Sequence, residues 1–89
     1  IEIKTLTKTK INLSHGQKDS LKTLFNGVIP ADTVLTYPFD SVVYFDLWSG
    51  QHVNMSINNT PIEGLTTDET IRGSYESNKS KLYLSYFSH

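Results

Sequence analysis

The chain has 89 residues and a net charge of −1, a length that suits one domain with one core and excludes a multidomain protein. It contains no cysteine, which excludes disulfides, thiolate zinc sites and cysteine nucleophiles. Serine, threonine, valine, isoleucine and aromatic residues recur and alanine occurs once, a composition typical of a mainly-β protein. Because the sequence begins at Ile1 rather than at methionine, we expect residues 1–89 to be a single domain that is a processed product or a piece of a longer polypeptide.

The charges are distributed unevenly along the chain. Residues 1–22 are basic and residues 23–78 are acidic, a division that favours association between copies through complementary patches. Lys4, Lys8 and Lys10 have no aromatic residues between them, so we predict that they protect an exposed sheet edge and do not bind nucleic acid. No apolar run approaches the roughly 18 residues needed to cross a bilayer, which predicts no membrane insertion.

The first predicted element is one long strand over residues 1–13. Apolar residues and threonines occupy the odd positions, whereas charged and amide side chains occupy most even ones. Leu6 breaks this pattern, and a β-bulge near the middle of the strand would turn its side chain inward.

A short helix is predicted next, over residues 19–26. Leu21, Leu24 and Phe25 have the i, i+3, i+4 spacing of one helical face, although two turns need support from a packed sheet. A short strand is then predicted over residues 33–36, and residues 37–40 are predicted to form a turn or a crossing.

Residues 41–57 contain two alternating apolar runs that predict an antiparallel hairpin. A hairpin register in which Trp48 faces His52 places six apolar side chains on one face. That face carries Val43, Phe45, Leu47, Val53, Met55 and Ile57. The opposite face carries the candidate binding residues Tyr44, Asp46, Trp48, His52 and Asn54.

A second hairpin is predicted from residues 69–76 and 81–88, after a turn at residues 58–61 and a loop over residues 62–68. Its expected cross-strand pairs are Ile71 with Tyr86, Gly73 with Leu84, Tyr75 with Leu82 and Glu76 with Lys81. A glycine in the middle of a strand indicates a bulge or a large neighbouring side chain, which we expect at Gly73.

Catalytic and metal-binding patterns are weak in this sequence. His15, His52 and His89 are scattered without metal-ligand spacing, and the glycines are dispersed, so no cofactor is predicted. No serine lies in a nucleophile-elbow motif. A carboxylate-based hydrolase could use a pair chosen from Asp40, Asp46, Glu63, Asp68, Glu69 and Glu76, but no spacing fixes such a pair.

The predicted polar face of the first hairpin is the best candidate site. Aromatic planes next to carboxylate and amide groups suit sugar rings, and tryptophan and tyrosine are also frequent at protein interfaces. The alternative is that Trp48 is a core residue covered by the helix or by a second sheet.

The sequence therefore predicts a small antiparallel β-sandwich or partly open barrel of five to seven strands with one short helix. Its abundance of serine, threonine and asparagine resembles, in type, modules of phage tails, fibres and bacterial surface proteins. We expect a non-enzymatic interaction module of a virion or extracellular surface, with a protein partner or self-association. A carbohydrate-binding module that uses Trp48 and Tyr44 is the first alternative, a small enzyme that uses the carboxylates is the second, and a small inhibitor protein is the third.

Overall fold

Nine strands form two antiparallel sheets around one core in the computed structural model, which describes residues 1–17 and 19–88. The strands are β1 (Glu2–Thr5), β2 (Thr9–His15), β3 (Lys22–Ile29), β4 (Val34–Thr36), β5 (Val42–Leu47), β6 (Val53–Ile57), β7 (Thr60–Pro61), β8 (Thr70–Glu76) and β9 (Lys81–Phe87). The four-stranded sheet has the order β4-β1-β6-β7, and the five-stranded sheet has the order β3-β2-β5-β8-β9. The predicted mainly-β sandwich is confirmed, with nine strands in the described residues in place of the predicted five to seven.

Most of the core consists of the apolar side chains that alternation assigned to the inside, and Ile29 and Leu65 complete it. The six apolar residues of the predicted first hairpin are all at most 4% exposed, and Ile3, Ile11, Leu13 and Ile71 are fully buried. Side chains alternate between the two faces of a strand, so the even-numbered neighbours of these residues point away from the core. The prediction of which residues lie inside is confirmed for this part of the chain.

The predicted long first strand is wrong, because the chain changes sheets in its middle. Strand β1 pairs with β4 and β6, whereas β2 pairs with β3 and β5 in the other sheet. Leu6 lies in the crossing segment and is exposed, so no bulge turns it inward. Both strands keep their odd-numbered side chains inward since the two sheets face the same core.

The predicted edge-protecting role of the lysines is also wrong. Lys4 lies in β1, which has a neighbouring strand on each side, and Lys10 lies in β2, which is equally enclosed. Lys8 lies in the crossing segment between these strands. None of the three is therefore on a strand that ends a sheet.

The segment predicted as a helix is the edge strand β3. A register shift between Leu13 and Ser14 of β2 leaves Leu24 as the extra residue of a β-bulge. The bulge interrupts the alternation, so Leu24 and Phe25 are both partly buried, which imitates the spacing of a helical face. Pairing with β2 outweighs a helical preference of only two turns. Within the described residues, the single helical element is a 3₁₀ turn, Gly50–His52.

The predicted pairing of the two strands of the first hairpin is wrong, although the predicted alternation within each strand is right. Strand β5 pairs with β2 and β8, and β6 pairs with β1 and β7, so these two strands lie in opposite sheets. Trp48 to His52 carries the chain from one sheet to the other. Strands in facing sheets can bury the same parity of residues as strands in one hairpin, and the apolar pattern does not distinguish the two.

The second hairpin is confirmed in every expected cross-strand pair. Gly73 is covered by a large neighbour, because a Cβ atom there would overlap Cζ and Cε2 of Phe45 in β5. The predicted turn after β6 is also confirmed, since Asn58 and Asn59 join β6 to β7 with φ angles of 52° and 64°. Two consecutive positive φ values are the geometry that suits a two-residue hairpin turn.

Candidate functional site

The side of the five-stranded sheet that faces away from the core is the candidate site, and we call it the outer face. Side chains on it form rows across the strands, because paired residues of neighbouring strands point to the same side. The first row consists of Val28, Lys10, Trp48, Thr70 and Phe87. The second consists of Asn26, Asn12, Asp46, Arg72 and Ser85. The third consists of Ser14, Tyr44, Ser74 and Tyr83.

Trp48 stands on the outer face directly after the last residue of β5. Its backbone N–H donates to the Lys10 carbonyl (3.1 Å), and its own carbonyl accepts from the Thr70 hydroxyl (3.0 Å). These bonds hold the backbone between β2 and β8, while 56% of the residue surface is exposed. The alternative in which Trp48 is a core residue is therefore excluded.

An exposed ion pair lies in the second row. Arg72 Nε is 3.4 Å from Asp46 Oδ1, and the two side chains are 69% and 46% exposed, so solvent screens this attraction. The Arg72 guanidinium also lies over the Phe87 ring, 5.5 Å from its centroid. The cation–π contact and the ion pair together orient a cation at the middle of the outer face.

Two shallow depressions adjoin this ion pair. One, of about 360 Å³, lies beside Trp48, and its wall includes Lys10, Asn12, Asn26, Asp46 and Arg72. The other, of about 250 Å³, lies on the Tyr44 side and shares Asn12, Asp46 and Arg72 with the first. The arrangement combines an aromatic plane with amide, carboxylate and guanidinium groups, which can donate and accept hydrogen bonds.

The structure places three of the five predicted site residues together and separates the other two. Tyr44, Asp46 and Trp48 share the outer face, with Tyr44 and Asp46 half-buried. His52 leads into β6, and its Nδ1 lies 3.2 Å from the Thr9 hydroxyl. Asn54 is exposed on the outward side of the other sheet, beside Lys4 in the strand register. His52 and Asn54 therefore do not complete the outer face.

Sequence reasoning missed the residues that do complete it. Lys10 and Asn12 come from β2, Asn26 from β3 and Arg72 from β8. The alternation in residues 1–13 already placed Lys10 and Asn12 on the face of the strand that points away from the buried Ile11. Their position next to Asp46 could not be predicted without knowing that β2 and β8 flank β5.

Other kinds of site have little support among the described residues. Within residues 1–17 and 19–88, no three histidine, aspartate or glutamate side chains come close enough to hold a metal ion. His15 Nδ1 accepts a hydrogen bond from the Asp40 backbone N–H (2.9 Å). His89, the third histidine of the sequence, lies outside the described residues. In the same ranges, no helix is long and apolar enough to cross a membrane.

Comparisons of the chain with protein-family models, curated proteins and solved structures gave no match.

Proposed function

We propose that the protein is a non-enzymatic interaction module that binds a protein partner through the outer face of its five-stranded sheet. The observation that carries the proposal is the exposure of four large side chains on that face: Val28, Trp48, Tyr83 and Phe87 are 47–58% exposed. Exposed apolar groups around a central arginine are typical of binding surfaces, where tryptophan, tyrosine and arginine contribute most of the energy.

The charges of the outer face support the same reading. Lys10 and the Asp46–Arg72 pair lie between the exposed apolar residues, so the face can satisfy a partner's polar groups while its apolar residues are covered. A virion or extracellular surface assembly remains our prediction for its setting, and it rests on composition.

A glycan is the second candidate ligand, and the depression beside Trp48 favours it. The volume of about 360 Å³ is of the order of a small binding pocket, and its wall combines an aromatic plane with the amides of Asn12 and Asn26. Aromatic faces cover the apolar C–H surfaces of sugar rings, and amides and carboxylates bind their hydroxyl groups.

A parallel selection tests the proposal. Wild-type protein is panned against a peptide display library and probed on a glycan array, and each binder is titrated against Trp48→Ala and Arg72→Ala. The matched control is Val34→Ala, because Val34 is 55% exposed and lies on the outward side of the other sheet.

We expect peptide binders that lose about 30-fold or more in affinity with Trp48→Ala and keep it with Val34→Ala. Trp48-dependent binding confined to glycans would replace the protein partner with the second candidate. Binders that are insensitive to both outer-face variants, or equally sensitive to Val34→Ala, would show that the outer face is not the binding surface.

A further inference from the structure

Strand β9 is the longest regular edge of either sheet and the least protected. It pairs with β8 alone, over seven residues with no register shift. The other edges are shorter or interrupted: β4 has three residues, β7 has two and includes Pro61, and β3 carries the bulge. Among the described residues, no backbone hydrogen bond joins β9 to anything except β8.

The side chains of β9 are unusual for an exposed edge. Natural edges are commonly protected by charges, proline or bulges. In β9 the single charge is Lys81, and Leu82, Tyr83, Tyr86 and Phe87 are 36–50% exposed. On the inner side, the Tyr86 hydroxyl donates to the Gly64 carbonyl (2.8 Å). The loop that contains Gly64 therefore contacts the inner face of β9, whereas no strand pairs with the edge of β9 that faces away from β8.

We propose that β9 is a self-association edge, through which two copies of the chain pair antiparallel about a two-fold axis at Leu84. The two five-stranded sheets would then form one continuous sheet of ten strands, and both outer faces would lie on the same side of it. Forming this dimer does not require the ligand proposed for the outer face, although Tyr83 and Phe87 of β9 belong to both surfaces. The Trp48→Ala variant changes only the outer face and separates the two proposals.

A second copy is the partner because the sequence of β9 is complementary to itself in this register. With Leu84 opposite its counterpart, all seven residues are paired, and parity keeps inner side chains with inner side chains. Leu82 faces Tyr86 of the second copy, and Tyr83 faces its Ser85. Lys81 faces the second copy's Phe87, so the one charge of the strand meets an aromatic ring and never a like charge.

Charge variants test the edge. Sedimentation equilibrium is measured for the wild type over about 10 µM to 1 mM, the range in which weak homodimers form. We expect a mass that rises toward twice 10.1 kDa. Phe87→Lys places two lysines opposite each other at both ends of the paired strands, so we expect its dimer dissociation constant to increase about tenfold or more.

Lys81→Glu in the Phe87→Lys background replaces this repulsion with attraction and should restore the dimer. The matched control is Val28→Lys, which adds the same charge to the outer face at the opposite edge strand and should leave the dimer unchanged. Far-UV circular dichroism of each variant separates a lost dimer from a lost fold.

A cysteine variant tests the register. The chain has no cysteine, so Leu84→Cys can form only a disulfide between copies. Directly opposed Cα atoms in antiparallel strands are about 4.5–5.5 Å apart, within the range that a disulfide spans. With oxidised glutathione added to accept the two electrons and two protons of each disulfide formed, we expect rapid covalent dimer formation for Leu84→Cys and little for Val28→Cys. A monomeric wild type at the highest concentration, or a dimer disrupted by Val28→Lys and not by Phe87→Lys, would overturn the proposal.

Discussion

Adding a single methyl group at Gly73 should destabilise the protein through its contact with Phe45. The φ angle of Gly73 is not positive, so any side chain is compatible with its backbone, and the cost is steric. A Cβ atom there would overlap Cζ and Cε2 of Phe45 and lie 2.9 Å from Leu84 Cδ2. Phe45 is only 2% exposed, and close packing in a protein core leaves a buried ring little room to move.

The magnitude follows from two opposing effects. Overpacking a core costs about 1–3 kcal/mol, whereas replacing glycine with alanine gains about 0.4–1 kcal/mol by restricting the unfolded chain. We therefore expect Gly73→Ala to lower the free energy of unfolding by about 1–2 kcal/mol. Shortening the ring with Phe45→Leu removes both overlapping atoms, so in that background Gly73→Ala should be neutral or stabilising. The coupling energy between the two sites is then about 2 kcal/mol.

Urea denaturation followed by far-UV circular dichroism measures this double-mutant cycle. The slope of the free energy against urea must stay constant, so that midpoint shifts report stability. Ser74→Ala is the control, since Ser74 is the next residue and points to the outer face, where we expect a change within about 0.5 kcal/mol. An equal cost of Gly73→Ala in both backgrounds would refute the proposed packing of Phe45 over Gly73.

Three further predictions concern the core, the outer face and a turn. Thr5→Val should lower the free energy of unfolding by about 2–3 kcal/mol in the urea assay, because the fully buried hydroxyl donates to the Pro30 carbonyl (2.6 Å) and accepts from the Thr33 N–H (2.9 Å). The control Thr9→Val loses one longer hydrogen bond and should cost about 1 kcal/mol, so equal costs of the two variants would contradict the prediction. Trp48→Ala should change the melting temperature by less than about 4 °C, since the side chain is exposed, and a loss as large as that of a core truncation would contradict its placement. Asn59→Gly should stabilise the protein by up to about 0.5 kcal/mol, because glycine adopts the φ of 64° without steric cost, and a lower urea midpoint would count against the turn geometry.

The sequence by itself determined which side chains face the core in most strands. Alternation assigned Ile3, Ile11, Phe45, Met55 and their like correctly, because side-chain direction depends only on the two-residue period of the local backbone. It also determined the β8–β9 hairpin in full. Those strands are joined by a four-residue turn, so their register depends on local geometry and on the alternation within each strand.

Tertiary structure decided which strands are neighbours. The crossing between sheets at Trp48–His52 leaves the alternation intact, because both sheets face one core and bury the same parity. The crossing at Leu6–Lys8 is marked in the sequence only by Leu6, which a bulge within one strand would explain equally well. The bulge at Leu24 likewise gives the apolar residues of β3 a spacing that resembles one face of a helix.

For the same reason, only part of the candidate site could be predicted. Tyr44, Asp46 and Trp48 share one strand and its end, so local periodicity placed them on one face. Arg72 and Asn12 reach Asp46 through long-range pairing of β5 with β8 and β2, which depends on how the whole chain packs its sheets.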